Sequence, residues 1–180
     1  MRSNTFVYIE FSITVSNSQT PSLGLGLSPP DCPLNVMVGS WPRSIGLYTD
    51  GQILIGSHWI HTTPEVKFEA GVTVGILVFS KSESGSYNSI IEQQISDHIL
   101  QFNINGRQLK YKTDSEVSIR DVIPIDTPLY PTVSLFSENT RVWCRFCEAD
   151  IVYRSRSAIG APTGCKVYSL DGSLLLAETD

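Results

Sequence analysis

Metal binding is the first chemistry the residue types suggest. Cys144 and Cys147 form a C-x-x-C, "CRFC", and His58 and His61 flank Trp59 in "GQILIGSHWIHTTP", residues 51–64. A structural zinc site needs four ligands, commonly two such pairs at short spacing. Neither pair has a second pair to match it. Cys32 and Cys165 stand alone and far apart, and His98, the remaining histidine, lies in a separate segment. In a strand, a separation of three also puts Cys144 and Cys147 on opposite faces. The four cysteines therefore read as reduced thiols, as expected where no secretory leader is seen. The two histidines read as surface or half-buried side chains of a loop that follows "QILIG". Trp59 either closes one end of the core or meets a partner. Hydrolytic chemistry fares no better. No nucleophile-elbow sequence surrounds any serine, Asp50 is explained by a turn, and Glu10 sits in an opening strand among polar neighbours. The residues do not converge on a reaction, so no catalytic residue, metal or cofactor is expected.

The elements that would position these residues are strands. The chain has 180 residues, enough for one domain with a sizeable core. Thirteen basic against eighteen acidic residues give a net charge of −5, with no basic run of the kind that marks a nucleic-acid binder. The longest apolar run, "VTVGILVF" at Val72 to Phe79, is strand-sized and too short to span a membrane. The dominant hydrophobic period is two. "FVYIEFSITV" puts Ile9, Phe11 and Ile13 on one face and Tyr8, Glu10 and Ser12 on the other. "SLGLGLS" alternates Leu23, Leu25 and Leu27 with glycines, which permit close approach of another backbone. Asp50-Gly51, Asn105-Gly106 and Asp171-Gly172 separate apolar runs and signal hairpins. Val133 and Leu135, then Val142, Cys144 and Phe146, are expected to face inward. One segment departs from the pattern. In "NSIIEQQISDHI", Ile91, Ile95 and Ile99 recur every four residues behind Ser89, which predicts a short helix or a loop with apolar anchors. Short strands between turns predict an all-β fold of two antiparallel sheets, a β-sandwich.

The order of these pieces resembles that of a SPRY domain, most closely the subgroup typified by Ran-binding protein M. "YIEFSI" is similar to the family's opening strand, and "LGLGLSPPDCPLN" to its Gly-x-Gly-Leu-Ser segment. "NVMVGSWPRSIGLYTDG" supplies the expected Asn35, Gly39, Trp41, Gly46 and the Asp50-Gly51 turn. "AGVTVGILV", "FNINGRQL", "LYPTVSL" and "VWCRF" follow in order. The resemblance runs from Tyr8 to Phe146. It implies a concanavalin-like jelly roll of two sheets packed face to face, and a binding module without catalytic residues. Residues 1–150 would form the SPRY domain. Residues 151–180 would supply an edge strand that completes the sandwich, or begin a following segment of a longer protein. The chain departs from the family in an insertion at 80–98 and in Lys110, where a small residue is usual.

Binding is expected in loops held by a rigid sandwich. "SPPDCPLNVMVGSWPR", Ser28 to Arg43, is long, rich in proline, and carries Leu34, Met37 and Trp41. Proline lowers the entropy lost on binding, and tryptophan supplies a large anchor. The competing reading packs Leu34 and Trp41 inward to hold the loop. The resemblance implies a partner-binding surface at Leu34, Asn35, Trp41 and Pro42, and at Phe136, Ser137, Glu138 and Asn139 after the Tyr-Pro-x-Val strand. Tyr130 and Pro131 are read as structural. The expected function is a monomeric, cytoplasmic module that binds a protein or peptide, with no nucleic acid and no membrane as partner. It would belong to an adaptor, for example in ubiquitin-ligase assembly. The alternative is a carbohydrate-binding sandwich. That function needs carboxylates gathered near exposed aromatics, and Asp31, Asp114, Asp121 and Asp126 are scattered.

Overall fold

The computed structural model describes residues 5–15, 23–61, 69–80, 100–109, 128–136, 138–161 and 163–177. In chain order the strands are β1 (Thr5–Val15), β2 (Leu23–Ser28), β3 (Ile45–Tyr48), β4 (Gln52–Ile55), β5 (His58–His61) and β6 (Thr73–Ser80). They continue with β7 (Leu100–Ile104), β8 (Arg107–Gln108), β9 (Tyr130–Leu135), β10 (Arg141–Arg145), β11 (Lys166–Ser169) and β12 (Leu174–Leu176). A single helical turn, α1 (Arg156–Ile159), follows a 3-10 turn at Glu148–Asp150. The strands make two mainly antiparallel sheets, the fold class expected from the period-two pattern. One sheet runs β12-β11-β1-β6-β7-β8, with β10 also on β1, and the other runs β5-β4-β3-β2-β9. β11 departs from antiparallel pairing and lies parallel to β1, with Thr5 opposite Lys166 and Tyr8 opposite Ser169. The short helix expected around Ile91 to Ile99 and the 81–98 part of the insertion lie outside the described residues.

The contacts divide the chain into two units. One gathers Phe11–Val72 and Leu109–Trp143, and it contains the whole five-stranded sheet. Residues alternate faces along a strand, and cross-strand rows follow from the register. Val133, Leu25, Leu47, Ile53 and Ile60 form one row, of which the last four are buried. The adjacent row, on the other face, reads Thr132, Gly26, Gly46, Leu54 and Trp59. Branched and leucine side chains fill the first face, as sheet cores favour. The second face is nearly bare at its middle, and that bareness positions the site described below.

Two turns build the β3–β4–β5 meander. Gly51 takes φ 81° after Asp50, whose carboxylate accepts from the Gln52 backbone N–H. At the next turn Gly56 and Ser57 both take positive φ, 49° and 77°. Two consecutive left-handed residues make a two-residue turn whose twist matches the strands. The segment from His58 to His61 is therefore strand β5, paired with β4, and not the loop the sequence suggested.

The other unit gathers Met1–Glu10, Thr73–Gln108 and Cys144–Asp180. Glu10 is fully buried there. Its carboxylate accepts from the Tyr8 hydroxyl at 3.1 Å and from the backbone N–H groups of Val152 and Tyr153 at 2.7 and 2.9 Å. A buried carboxylate is tolerable only when its oxygens are so occupied. Asn103, also buried, donates to the Ile159 carbonyl and accepts from Gln101. The Asn105-Gly106 turn predicted from sequence is present, with positive φ at both residues. The expectation that Leu135 and Cys144 face inward is overturned: both are exposed. β9 ends its sheet, and β10 pairs, among the described strands, with β1 alone. Each of these strands lacks a second described neighbour, and no residue of either is fully covered, unlike those of β2.

Candidate functional site

The glycine row explains how the long β2–β3 loop is held. A Cβ at Gly46 would lie 2.5 Å from the Val38 carbonyl oxygen, and one at Gly24 would lie 3.0 Å from Val38 Cγ1. The absent side chains leave a slot, and Val38 fills it. Val38 is fully buried in a cluster with Tyr48 and Leu54, and Met37 packs against them. Both polar groups of the Val38 backbone are satisfied. Its N–H donates to Ser134 Oγ at 2.9 Å, and its carbonyl accepts from the Tyr48 hydroxyl at 2.6 Å. Gly39 follows at φ 91°, where a Cβ would sit 2.2 Å from the Leu54 carbonyl oxygen, so both conformation and space require glycine.

The rest of the loop is tied down by its own short-range bonds. The Ser57 N–H donates to the Gly39 carbonyl at 2.9 Å, and the Ser57 hydroxyl donates to the Ser40 carbonyl. Ser44 Oγ donates to the Trp41 carbonyl. Tight turns close from the Cys32 N–H to Pro29 and from the Val36 N–H to Pro33. Arg43 holds the Asp31 carboxylate at 3.0 Å, a pair that is about half exposed. Burial, and then the Asp50 charge, push the Tyr48 phenol well above its usual range, so the hydroxyl that clamps Val38 stays a donor.

Between this loop and β9 lies a groove of about 680 Å³. Ser28 to Met37, Asp31 excepted, supply one wall, and Tyr130 with Thr132 to Phe136 supply the other. The walls show large apolar side chains to water. Leu34 is 106% exposed, Tyr130 56%, Leu135 54% and Phe136 49%. The Phe136 ring stacks on Tyr48 with centroids 6.3 Å apart, and Trp59 meets Tyr48 from another side at 5.1 Å. Tyr48 thus carries two part-exposed aromatics while clamping the loop.

Of the residues singled out in the sequence, the structure brings Leu34, Asn35 and Phe136 into the lining of this groove. Leu34 does not pack inward. Trp41 is half-buried and Pro42 exposed on the same loop, and neither lines the groove. Glu138 and Asn139 are exposed in the turn after β9. Ser137 lies outside the described residues. Tyr130 and Leu135 were missed as site residues. Both became candidates only when β9 proved to be the last strand of its sheet. His58 is exposed, with its ring Nδ1 3.2 Å from the Gly56 carbonyl. Among the described residues no three His, Cys, Asp or Glu side chains gather as a metal site. Nor is any described helix long and apolar enough to cross a membrane.

A human SPRY domain, known from its crystal structure, is similar in fold. It aligns over 77% of this chain and 74% of its own length, at 20% identity and a TM-score of 0.54. The fold is that of a SPRY domain. No protein-family model matches the chain, and no curated protein matches it. Within this SPRY fold, the groove is built by the "LGLGLSPPDCPLN" segment and the "LYPTVSL" strand, two of the motifs that carry the sequence resemblance.

Proposed function

We propose that this chain is a non-catalytic protein-interaction module of the kind found in Ran-binding protein M, and that it binds an epitope of another protein in the groove between the β2–β3 loop and β9. The observation that carries the reading is Leu34, which stands wholly in water at the tip of a loop otherwise pinned at many points. A large apolar side chain held out on a rigid support has little role in stability. It is well placed as an anchor, because the ordering cost of the loop is met on folding and not on binding. Tyr130, Leu135 and Phe136 face it as apolar partners for the same ligand. Leu34, Asn35 and Phe136 form the centre of the surface. Trp41, Pro42, Glu138 and Asn139 form its rim, and Ser137 is carried as a partner contact from the sequence alone. The module acts as a monomer within a cytoplasmic adaptor, with ubiquitin-ligase substrate recognition as one setting.

The test is a comparative capture from cell lysate with two baits, wild type and the Leu34→Asp, Phe136→Ala double variant, with thermal melts in parallel. The proposal expects a specific protein on the wild-type bait that is absent from an equally stable variant. Identical captures would remove the groove from consideration. Captured glycans in place of a protein would favour a lectin.

A further inference from the structure

Resting on that reading, we infer that the groove takes its partner as an added β-strand: an extended, uncharged segment of another protein pairs with the outer edge of β9. The first observation is topological. β9 ends the five-stranded sheet, with β2 as its sole described strand neighbour. The second is the identity of the lining. Thr132, Val133, Ser134, Leu135 and Phe136 all border the groove. Consecutive strand residues point to opposite faces, so a groove on one face would touch alternate residues. A groove that touches four strand residues in a row, Thr132 to Leu135, and Phe136 just beyond them, runs along the backbone edge. The burial pattern agrees: β2 is buried at every position, and β9 at none. Pro131 agrees too, since a residue without an N–H is accommodated in a sheet chiefly at an edge.

The chemistry of the occupant follows from charge. None of the lining residues is acidic or basic. The ions on the adjacent loop, Arg43 and Asp31, neutralise each other. A phosphate, an acidic peptide or a nucleic acid would find no counter-charge here, and desolvating it would be costly. A neutral polypeptide backbone would find what it needs. Among the described residues no strand pairs with the outer edge of β9; such an edge offers unpaired N–H and C=O groups, and β9 is long enough for a partner of about six residues at about 3.3 Å each. Alternate side chains of such a strand would face the loop wall beneath Leu34. The partner should therefore alternate apolar and small polar residues, as strand-addition ligands do.

A random peptide display library selected on the full chain tests this. Peptides that depend on the groove are recognised by loss of binding to Leu34→Asp. That substitution sits on a fully exposed side chain and should leave the fold intact. Such peptides are then methylated at each backbone nitrogen in turn. Strand addition predicts uncharged sequences and a two-residue period in the methyl scan, with about tenfold weaker binding at every second position and little change between. It also predicts slowed amide exchange in β9 on binding. Groove-dependent peptides with a flat scan, or rich in charged residues, would overturn strand addition and leave the groove as the binding site. No enriched peptide, or peptides indifferent to Leu34→Asp, would overturn the groove reading and this inference together.

Discussion

At the scale of single residues, three side chains make separable predictions. Ser28 lines the groove with a hydroxyl that is buried and has no hydrogen-bond partner among the described residues. Removing an unpaired buried polar atom relieves a desolvation cost, so Ser28→Ala should leave the unfolding free energy unchanged or raise it, by no more than about 1 kcal/mol. A clear loss of stability would show that the hydroxyl has a partner. Glu10 is the opposite case. Glu10→Ala would strand the Tyr8 hydroxyl and two backbone N–H groups. It should cost about 3 kcal/mol in a denaturant titration. An unchanged midpoint would contradict the buried carboxylate described above. Tyr48 links stability to pH. Its folded-state pKa lies above the ordinary phenol value of 10, through burial and then the Asp50 charge. The stabilisation is complete below pH 10 and is lost as pH rises beyond it. Alkaline unfolding should shift accordingly in Tyr48→Phe, which also loses the bond to Val38 at a cost of about 1 kcal/mol at neutral pH.

At the scale of elements, the site depends on a loop lying on a strip of glycines. The alternation in "SLGLGLS" was legible as a place where another backbone comes close. Which backbone was not legible, because the answer is the β2–β3 loop itself, folded back over its own sheet. Gly46→Ala tests this packing. Its Cβ would press on the Val38 carbonyl, and overpacking of that kind costs about 1–3 kcal/mol. The expected signature is a shifted loop: altered backbone NMR signals for residues 36–40 while the row of Leu25, Leu47 and Ile53 keeps its own. The hairpins at Asp50-Gly51 and Asn105-Gly106 were read from sequence because those pairs favour left-handed backbone. Gly56-Ser57 carries no such signal, since serine has no such preference, and the sequence of β5 therefore reads as a loop. The exposure of Leu135 was hidden for another reason. A period-two pattern says which residues share a face, but not whether a neighbouring strand covers the edge.

At the scale of the whole molecule, the all-β class followed from the repetition of short alternating runs, and the SPRY likeness from the order of the motifs. The likeness to a solved SPRY domain at 20% identity agrees with both. The candidate surface was only partly legible. Leu34, Asn35 and Phe136 were placed by motif, whereas Tyr130 and Leu135 joined them through sheet order. The proposed partner surface is the groove and not another face. Site-specific photocrosslinking tests it most directly, with a crosslinking residue placed at Leu34 in one sample and at Leu174, exposed in the other unit, in a second. A discrete protein adduct is expected at position 34, suppressed by excess unlabelled wild-type chain and absent at position 174. The same adducts at both positions, or none at 34 while 174 captures a protein, would contradict it.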